Sequence, residues 1–201
     1  MVQALQVLTE LDAVNLMLSA IGESPVNTIE NSGLADVVSA VNTLRNVSRQ
    51  VQQRGWKWNT LKNYSLSPTA PLPGTVPLPV NTLKVDVTRK NGAHLLKDYI
   101  NEGGQLYDIE NNTNQFSENI DVDIVLLKDF ILLPSPARDY IAARAAREYQ
   151  QATIGSAQLA SFEGISEADA LRNLNAMETQ NSDTNIFRGS YSMRSIFRNR
   201  R

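Results

Sequence analysis

Cysteine is absent from all 201 residues, so neither disulfides nor thiolate metal sites can form. Histidine is nearly absent. His94 is the only one, so any catalytic triad or histidine metal centre would have to use it. It stands in "KNGAH", a turn signal, where a solvated turn histidine is the simpler reading. Long apolar runs are missing too. A membrane-spanning helix needs about 20 apolar residues, and the best candidate, "DIVLLKDFILLP", is interrupted by Lys128 and Asp129. The start, "MVQALQVLTELDAVNLML", has no basic region and carries Glu10 and Asp12, unlike a secretory signal. Neither a Gly-x-Gly-x-x-Gly fingerprint nor a phosphate-binding Walker pattern occurs. The one glycine pair, in "EGG" at Glu102 to Gly104, reads as a hairpin turn.

Charge is small in sum and uneven in place. The formal net charge is −2, yet residues 184–201 carry five arginines and no acid, which leaves −7 for residues 1–183. A body that gripped nucleic acid by its phosphates would be basic. This one is acidic, with a basic arm.

The elements follow from periodicity. Thr9 caps a first helix, Asp12 meets its free amides, and Leu11, Val14, Leu18 and Ile21 form one face. Gly22 is placed to end it in a left-handed conformation. A second helix is expected from about Leu34 to Arg54, with Val37, Val41, Leu44 and Val51 on one stripe and Gly55 as its stop. The period then changes. "WKWNTLKNYSL" alternates, with Trp56 and Trp58 on one side, as a strand would place them. Five of the eight prolines fall between Pro68 and Pro79, which predicts an extended loop or an edge segment. The runs "LKVDVTR", "QLYDI" and "VDIVLLK" between turn signals predict a small antiparallel β unit. Ser135 as cap and Pro136 at the first helical position begin a third helix that Gly155 ends. A fourth is expected from Ser166, with Asp169 completing a capping box and Leu171, Leu174 and Met177 as its apolar face. The fold class is therefore α+β: a helical bundle built from N- and C-terminal halves, carrying an inserted small antiparallel β unit. The expected division is residues 1–58 and 134–183 for the helical part, 59–133 for the β insertion and 184–201 for the basic arm.

Candidate chemistry is sparse. Asp121 and Asp123 share a face of one predicted strand, where a solvated strand edge is simpler than an acid/base pair. Glycosidases need two carboxylates at a set separation in a cleft, and sequence does not measure it. Trp56 and Trp58 are either a stacking platform or, at the junction of helical and β parts, a core anchor; the junction position favours the anchor. Arg138, Arg144 and Arg147 lie on an alanine-rich helix that lets neighbours approach closely, so they are either a solvated face or ion-pair partners across a subunit boundary. In the arm, Phe187, Tyr191, Ile196 and Phe197 interleave Arg188, Arg194, Arg198, Arg200 and Arg201. Phosphate binding needs charge alone, whereas a protein groove also takes aromatic anchors, so the arm reads as a protein-binding tether that orders on contact.

Four segments, in order, carry a resemblance: "LDAVNLMLSAIGESPVNTIE", "ADVVSAVNTLRNVSRQVQQRGWKWN", "GGQLYD" and "LPSPARDYIAARAAREYQ". Together they resemble the tail tubular protein A family, the head-to-tail adaptors of short-tailed bacteriophages, over roughly Leu11 to Gln151. The resemblance implies a structural virion protein of the tail, not an enzyme, assembled in the host cytoplasm and needing no cofactor or metal. It implies a ring of about twelve copies beneath the portal protein, with closed heterologous contacts. The helical part would build the ring around the DNA channel, and the β part would face the tail nozzle protein, near the tail fibre zone. Genomic DNA would pass without sequence-specific binding. The arm would reach the portal through Phe187, Arg188, Tyr191, Arg194, Phe197 and Arg198. The alternative from another class is a tail-associated cell-wall hydrolase.

Overall fold

A computed structural model describes residues 7–30, 33–87, 98–155 and 157–180, with backbone only for 157–163. His94 and the arm lie outside the described residues. The helices are α1 (Glu10–Ala20), α2 (Ala35–Gln53), α3 (Ser135–Thr153) and α4 (Ala157–Gln180). Between α2 and α3 lie β1 (Thr60–Leu66), β2 (Thr82–Val87), β3 (Tyr99–Glu102), β4 (Gln105–Asp108) and β5 (Ile120–Leu126). Two short 3₁₀ turns, Lys57–Asn59 and Phe130–Leu132, mark entry to and exit from this middle region. The fold is α+β, with helices flanking a β insertion in the chain.

Local chemistry sets the helix ends. Thr9 and Asp12 form a reciprocal capping box at α1. At its other end Gly22 sits at φ +83°, and Glu23 N–H reaches back to Leu18 O at 3.0 Å, closing a Schellman motif. α2 buries Val37, Ala40, Val41, Leu44, Val47 and Val51, and Gly55 at φ +77° stops it. A side chain there would also press on Val125 Cγ2, 3.2 Å from the ideal Cβ position.

Three expectations are corrected. The segment "WKWN" is a 3₁₀ turn, and the strand starts only at Thr60. The Asn59 carboxamide accepts the Trp56 N–H at 2.8 Å and so closes a turn in place of a ladder. α3 begins one residue early, because the Pro134 carbonyl already accepts from Ala137 N and Arg138 N; Pro136 is then the second helical residue. α4 begins at Ala157, nine residues before Ser166. Gly164 lies within it and does not break it, at the modest cost a helical glycine carries. Leu174 is fully buried on the α4 face, with Leu171 and Met177 half-buried beside it.

Among the described residues two apolar cores form. The helical core gathers α1, α2 and α3 with Leu174 of α4, and includes Trp56 and Phe130. α3 is central. Its Arg138 reaches Leu8 near the start of α1, its Tyr149 reaches Asp36 at the start of α2, and its Arg147 reaches Glu167 of α4. The second core belongs to the β part. β5 lies between β1 and β2, antiparallel to both, and β3 pairs with β4 as a hairpin. Gly103 and Gly104 take φ +58° and +82°, the paired positive values a two-residue hairpin turn demands. Val122 and Ile124 point from β5 into this core, where they meet Leu106 and Phe116. The proline-rich segment edges the core: Val76 and Leu78 are buried, and Gly74 exchanges two backbone bonds with Phe116.

Candidate functional site at the helix and sheet junction

The two cores are joined by polar groups. Gln52, fully buried near the end of α2, donates from Nε2 to Lys128 O at 2.9 Å and to Ser48 Oγ at 3.0 Å. Its Oε1 accepts the Lys128 N–H at 2.8 Å. Asn59 donates from Nδ2 to Gln52 O at 3.0 Å and to Leu126 O at 3.1 Å. These two carboxamides tie the last turn of α2 to the end of β5. A carboxamide can do this because it carries both donors and an acceptor, so it stands in for a missing ladder partner. Neither residue stands out in the sequence. Gln52 lies in a polar run at the end of a helix, and its partner is 76 positions away.

The tryptophans stand at the same junction. Trp56 is buried in the helical core and donates from Nε1 to Val51 O at 2.8 Å. Trp58 is half-buried, and its ring stacks on Trp56 with centroids 6.5 Å apart and planes 10° apart. The Arg54 guanidinium lies 4.7 Å from the Trp56 ring centre, a cation–π contact. Trp56 is buried and Trp58 half-buried, which leaves little of a base-stacking platform. The end of α4 also closes here. Glu178 Oε2 accepts the Lys57 N–H at 3.3 Å, beside an open cleft of about 280 Å³ lined by Arg54, Trp56 and Asn175.

The three α3 arginines all find partners within the subunit. Arg138 is buried and donates to Leu8 O at 3.1 Å, so its charge is turned inward. Arg144 donates to Glu148 at 2.8 Å and Gln50 at 3.0 Å. The Glu148 bond is the main cause that raises its pKa further above the ordinary arginine value. Arg147 pairs with Glu167 and so ties α3 to α4. Burial raises the Tyr149 phenol above its usual value, with the hydroxyl donating to Asp36 O at 3.0 Å. Partial shielding from water likewise raises Asp139, though the residue is exposed overall, and the neighbouring Arg138 charge opposes the shift.

Asp121 and Asp123 do share a face of β5, opposite Val122 and Ile124. Asp123 Oδ1 accepts the Asn63 N–H at 2.9 Å, where β1 bulges. That carboxylate therefore serves the bulge. Among the described residues no group of three or more histidine or carboxylate side chains could hold a metal ion, and no helix is long and apolar enough to cross a membrane.

Against known proteins, the family model described as tail tubular protein matches residues 11–184. The chain belongs to the tail tubular protein family. It is also 32% identical over 133 residues, 66% of this chain and 67% of the relative, to tail tubular protein A of Klebsiella phage KP34. As a tail tubular protein, the chain is a structural component of a bacteriophage tail. It resides in the virion tail and assembles with other tail components. The match spans both helical halves and the β insertion, so the junction built by Gln52, Asn59 and the tryptophans lies inside the family unit.

Proposed function

We propose that this tail tubular protein is a head-to-tail adaptor: a ring of copies joining the portal to the tail nozzle and lining part of the DNA channel, without catalytic activity. The observation that carries this reading is the junction. A helical part and a β part, each with its own core, are clamped by buried carboxamides. Such a body transmits position from one end to the other, as a connector must. On this reading the helical part (residues 1–58 and 134–183) forms the ring and the β part (59–133) meets the nozzle, near the tail fibre zone.

The charge distribution suits passage of DNA. Residues 1–183 carry −7 per copy, and a ring of such bodies repels phosphates and keeps the duplex from sticking. The basic arm, with Phe187, Tyr191 and Phe197 as anchors among Arg188, Arg194 and Arg198, reaches the portal. A wall hydrolase gains no support from Asp121 and Asp123, since Asp123 holds the β1 bulge.

Co-expression with portal and nozzle proteins of the same phage tests the reading. Full-length chain is expected to co-purify with both, and a chain ending at Asp183 is expected to lose the portal and keep the nozzle. Replacing Phe187 and Phe197 with Ser should weaken portal capture more than replacing Arg200 and Arg201 with Gln. Equal capture by full and shortened chains would remove the arm from the mechanism. Capture of neither partner by the full chain would contradict the adaptor role.

A further inference from the structure

On the helical part, two surfaces have no covering partner among the described residues. The first surrounds the 3₁₀ turn Phe130–Leu132. Ile131 and Leu132 are 60% and 65% exposed, a large adjacent apolar pair in open solvent. Beside them a groove of about 420 Å³ runs between α2 and the chain leaving β5, bordered by Arg45, Arg49 and Lys128. Arg45 and Arg49 are one turn apart on the solvent face of α2. Glu10, holding Arg45 at 3.5 Å, and Asp129, which also lines the groove, answer part of this charge and leave a surplus of one cation.

The second surface is an apolar groove of about 190 Å³ between α1, α3 and α4, lined by Leu16, Ala20, Ala143, Ala146 and Ser166. Leu16 is 46% exposed above the small alanines. Arg138 at the start of α3 touches Leu8 at the start of α1, so the two helices begin together. Helical spacing therefore puts Asp12 one turn before Leu16 and Asp139 one turn before Ala143. Both acids are exposed. On α4, Asp169 stands one turn beyond Ser166, also exposed. Asp169 pairs with Arg172 and Arg147 with Glu167, so the unanswered acids beside this apolar groove are Asp12 and Asp139.

The surfaces complement each other in shape class and in charge. One presents projecting aliphatic side chains with three cations against Glu10 and Asp129, the other an aliphatic trough beside Asp12 and Asp139, so the surplus charges are of opposite sign. They cannot meet within one molecule: the first lies on the α2 flank of central α3, the second on the α1 and α4 flank. A patch and its complement on different flanks of one chain define a heterologous contact, which repeats from copy to copy until it closes. Apolar burial supplies affinity, and border charges set register and speed of encounter.

We infer that Ile131 and Leu132 of one copy seat in the α1/α3/α4 groove of the next, with Arg49 and Lys128 facing its Asp12 and Asp139. This rests on the ring reading above and names the two faces that make the ring.

The absence of cysteine makes the test clean. Introduce Ile131→Cys and Ala143→Cys together and oxidise rings formed on the portal or in concentrated protein. A disulfide forms only where Cα atoms approach within about 4.4–6.8 Å. The inference predicts a ladder of cross-linked multimers on a non-reducing gel, collapsing to monomer with reductant. Each single variant stays monomeric, while a mixture of the two gives dimers only. A charge exchange provides an independent readout: Arg49→Glu should lower ring yield at least tenfold, and adding Asp139→Arg should restore most of it. Intact rings with no ladder and indifference to Arg49→Glu would overturn this contact and leave the adaptor role standing. Dimers from Ile131→Cys alone would mean an isologous contact and also overturn it. Failure of the unmodified chain to form rings even on the portal would sink the ring reading itself, and this contact with it.

Discussion

The side-chain carboxamide of Gln52 and the backbone of Lys128 exchange two hydrogen bonds, donating and accepting at 2.9 and 2.8 Å. This pair holds the end of α2 to the exit of the β part. Gln52→Leu keeps volume but leaves the Lys128 N–H and C=O without their partner. A buried group stranded in this way costs about 1–3 kcal/mol. Urea unfolding should show a loss of about 2 kcal/mol with an unchanged slope. A loss under about 0.5 kcal/mol, the range of ordinary surface changes, would remove the clamp from the account.

Trp56 and Trp58 stack but are buried to different extents, so they should differ in mutation. Trp56→Ala empties a core site and should cost about 3–5 kcal/mol. Trp56→Phe keeps most of the apolar contact and loses the Nε1 bond to Val51 O, a change of about 1 kcal/mol. Trp58→Ala should fall well below Trp56→Ala, because Trp58 is only half-buried. Thermal melts of the three variants give the order. Equal stability of Trp56→Ala and the parent would restore the ligand-platform reading.

The α1 cap carries a pH signature. Asp12 accepts from Thr9 N–H at 2.9 Å and from the Thr9 hydroxyl at 2.6 Å, which lowers its pKa below the ordinary carboxylate value. Its folded pKa is below its unfolded one, so its stabilisation is present above the unfolded value and is lost as pH falls through the folded value. Asp139 has the opposite sign: raised by burial, it binds its proton more tightly when folded, and protonation favours the fold. Thr9→Ala should cost about 1 kcal/mol at neutral pH, and Asp12→Asn should flatten part of the acid limb of the stability curve. An unchanged acid limb would contradict the cap's contribution.

Gly74 sits where no side chain fits. An ideal Cβ there would lie 1.7 Å from Thr69 O, within the segment that buries Val76 and Leu78. Gly74→Ala should disturb the bridge to Phe116 and weaken the β part while α2 and α3 stay folded. Amide exchange resolves the two: faster exchange at Phe116 and Leu106, with Val47 and Ile141 unchanged. Exchange unaffected throughout would show that the loop has room to adjust.

What was legible in the sequence was what is local. Thr9, Asp12 and Gly22 announce α1 because a cap and a stop act within one turn. The α2 stripe from Val37 to Val51 is legible because burial recurs with the helical period. The Trp56 to Asn59 stretch misled, since three residues with two aromatics at spacing two look the same in a strand and in a 3₁₀ turn. The Asn59 carboxamide decides between them through a bond to Trp56, and asparagine alone does not advertise it. Gln52 was invisible for a different reason. Its partner is brought near only by the whole β insertion, and a buried glutamine in a polar run looks like a solvated one. The long-range partners of Arg144 and Arg147 were unreadable on the same ground, unlike Glu148 one turn from Arg144: Gln50 and Glu167 come to them from α2 and α4 only in the folded bundle.

The most direct test of the central claim is an image reconstruction of whole phage particles at the tail vertex. The account predicts a closed ring of this chain immediately below the portal, with the α1–α4 bundle around the channel and the β1–β5 part against the nozzle. Finding the chain at the far tip of the tail, or as isolated copies with no closed ring, would contradict it.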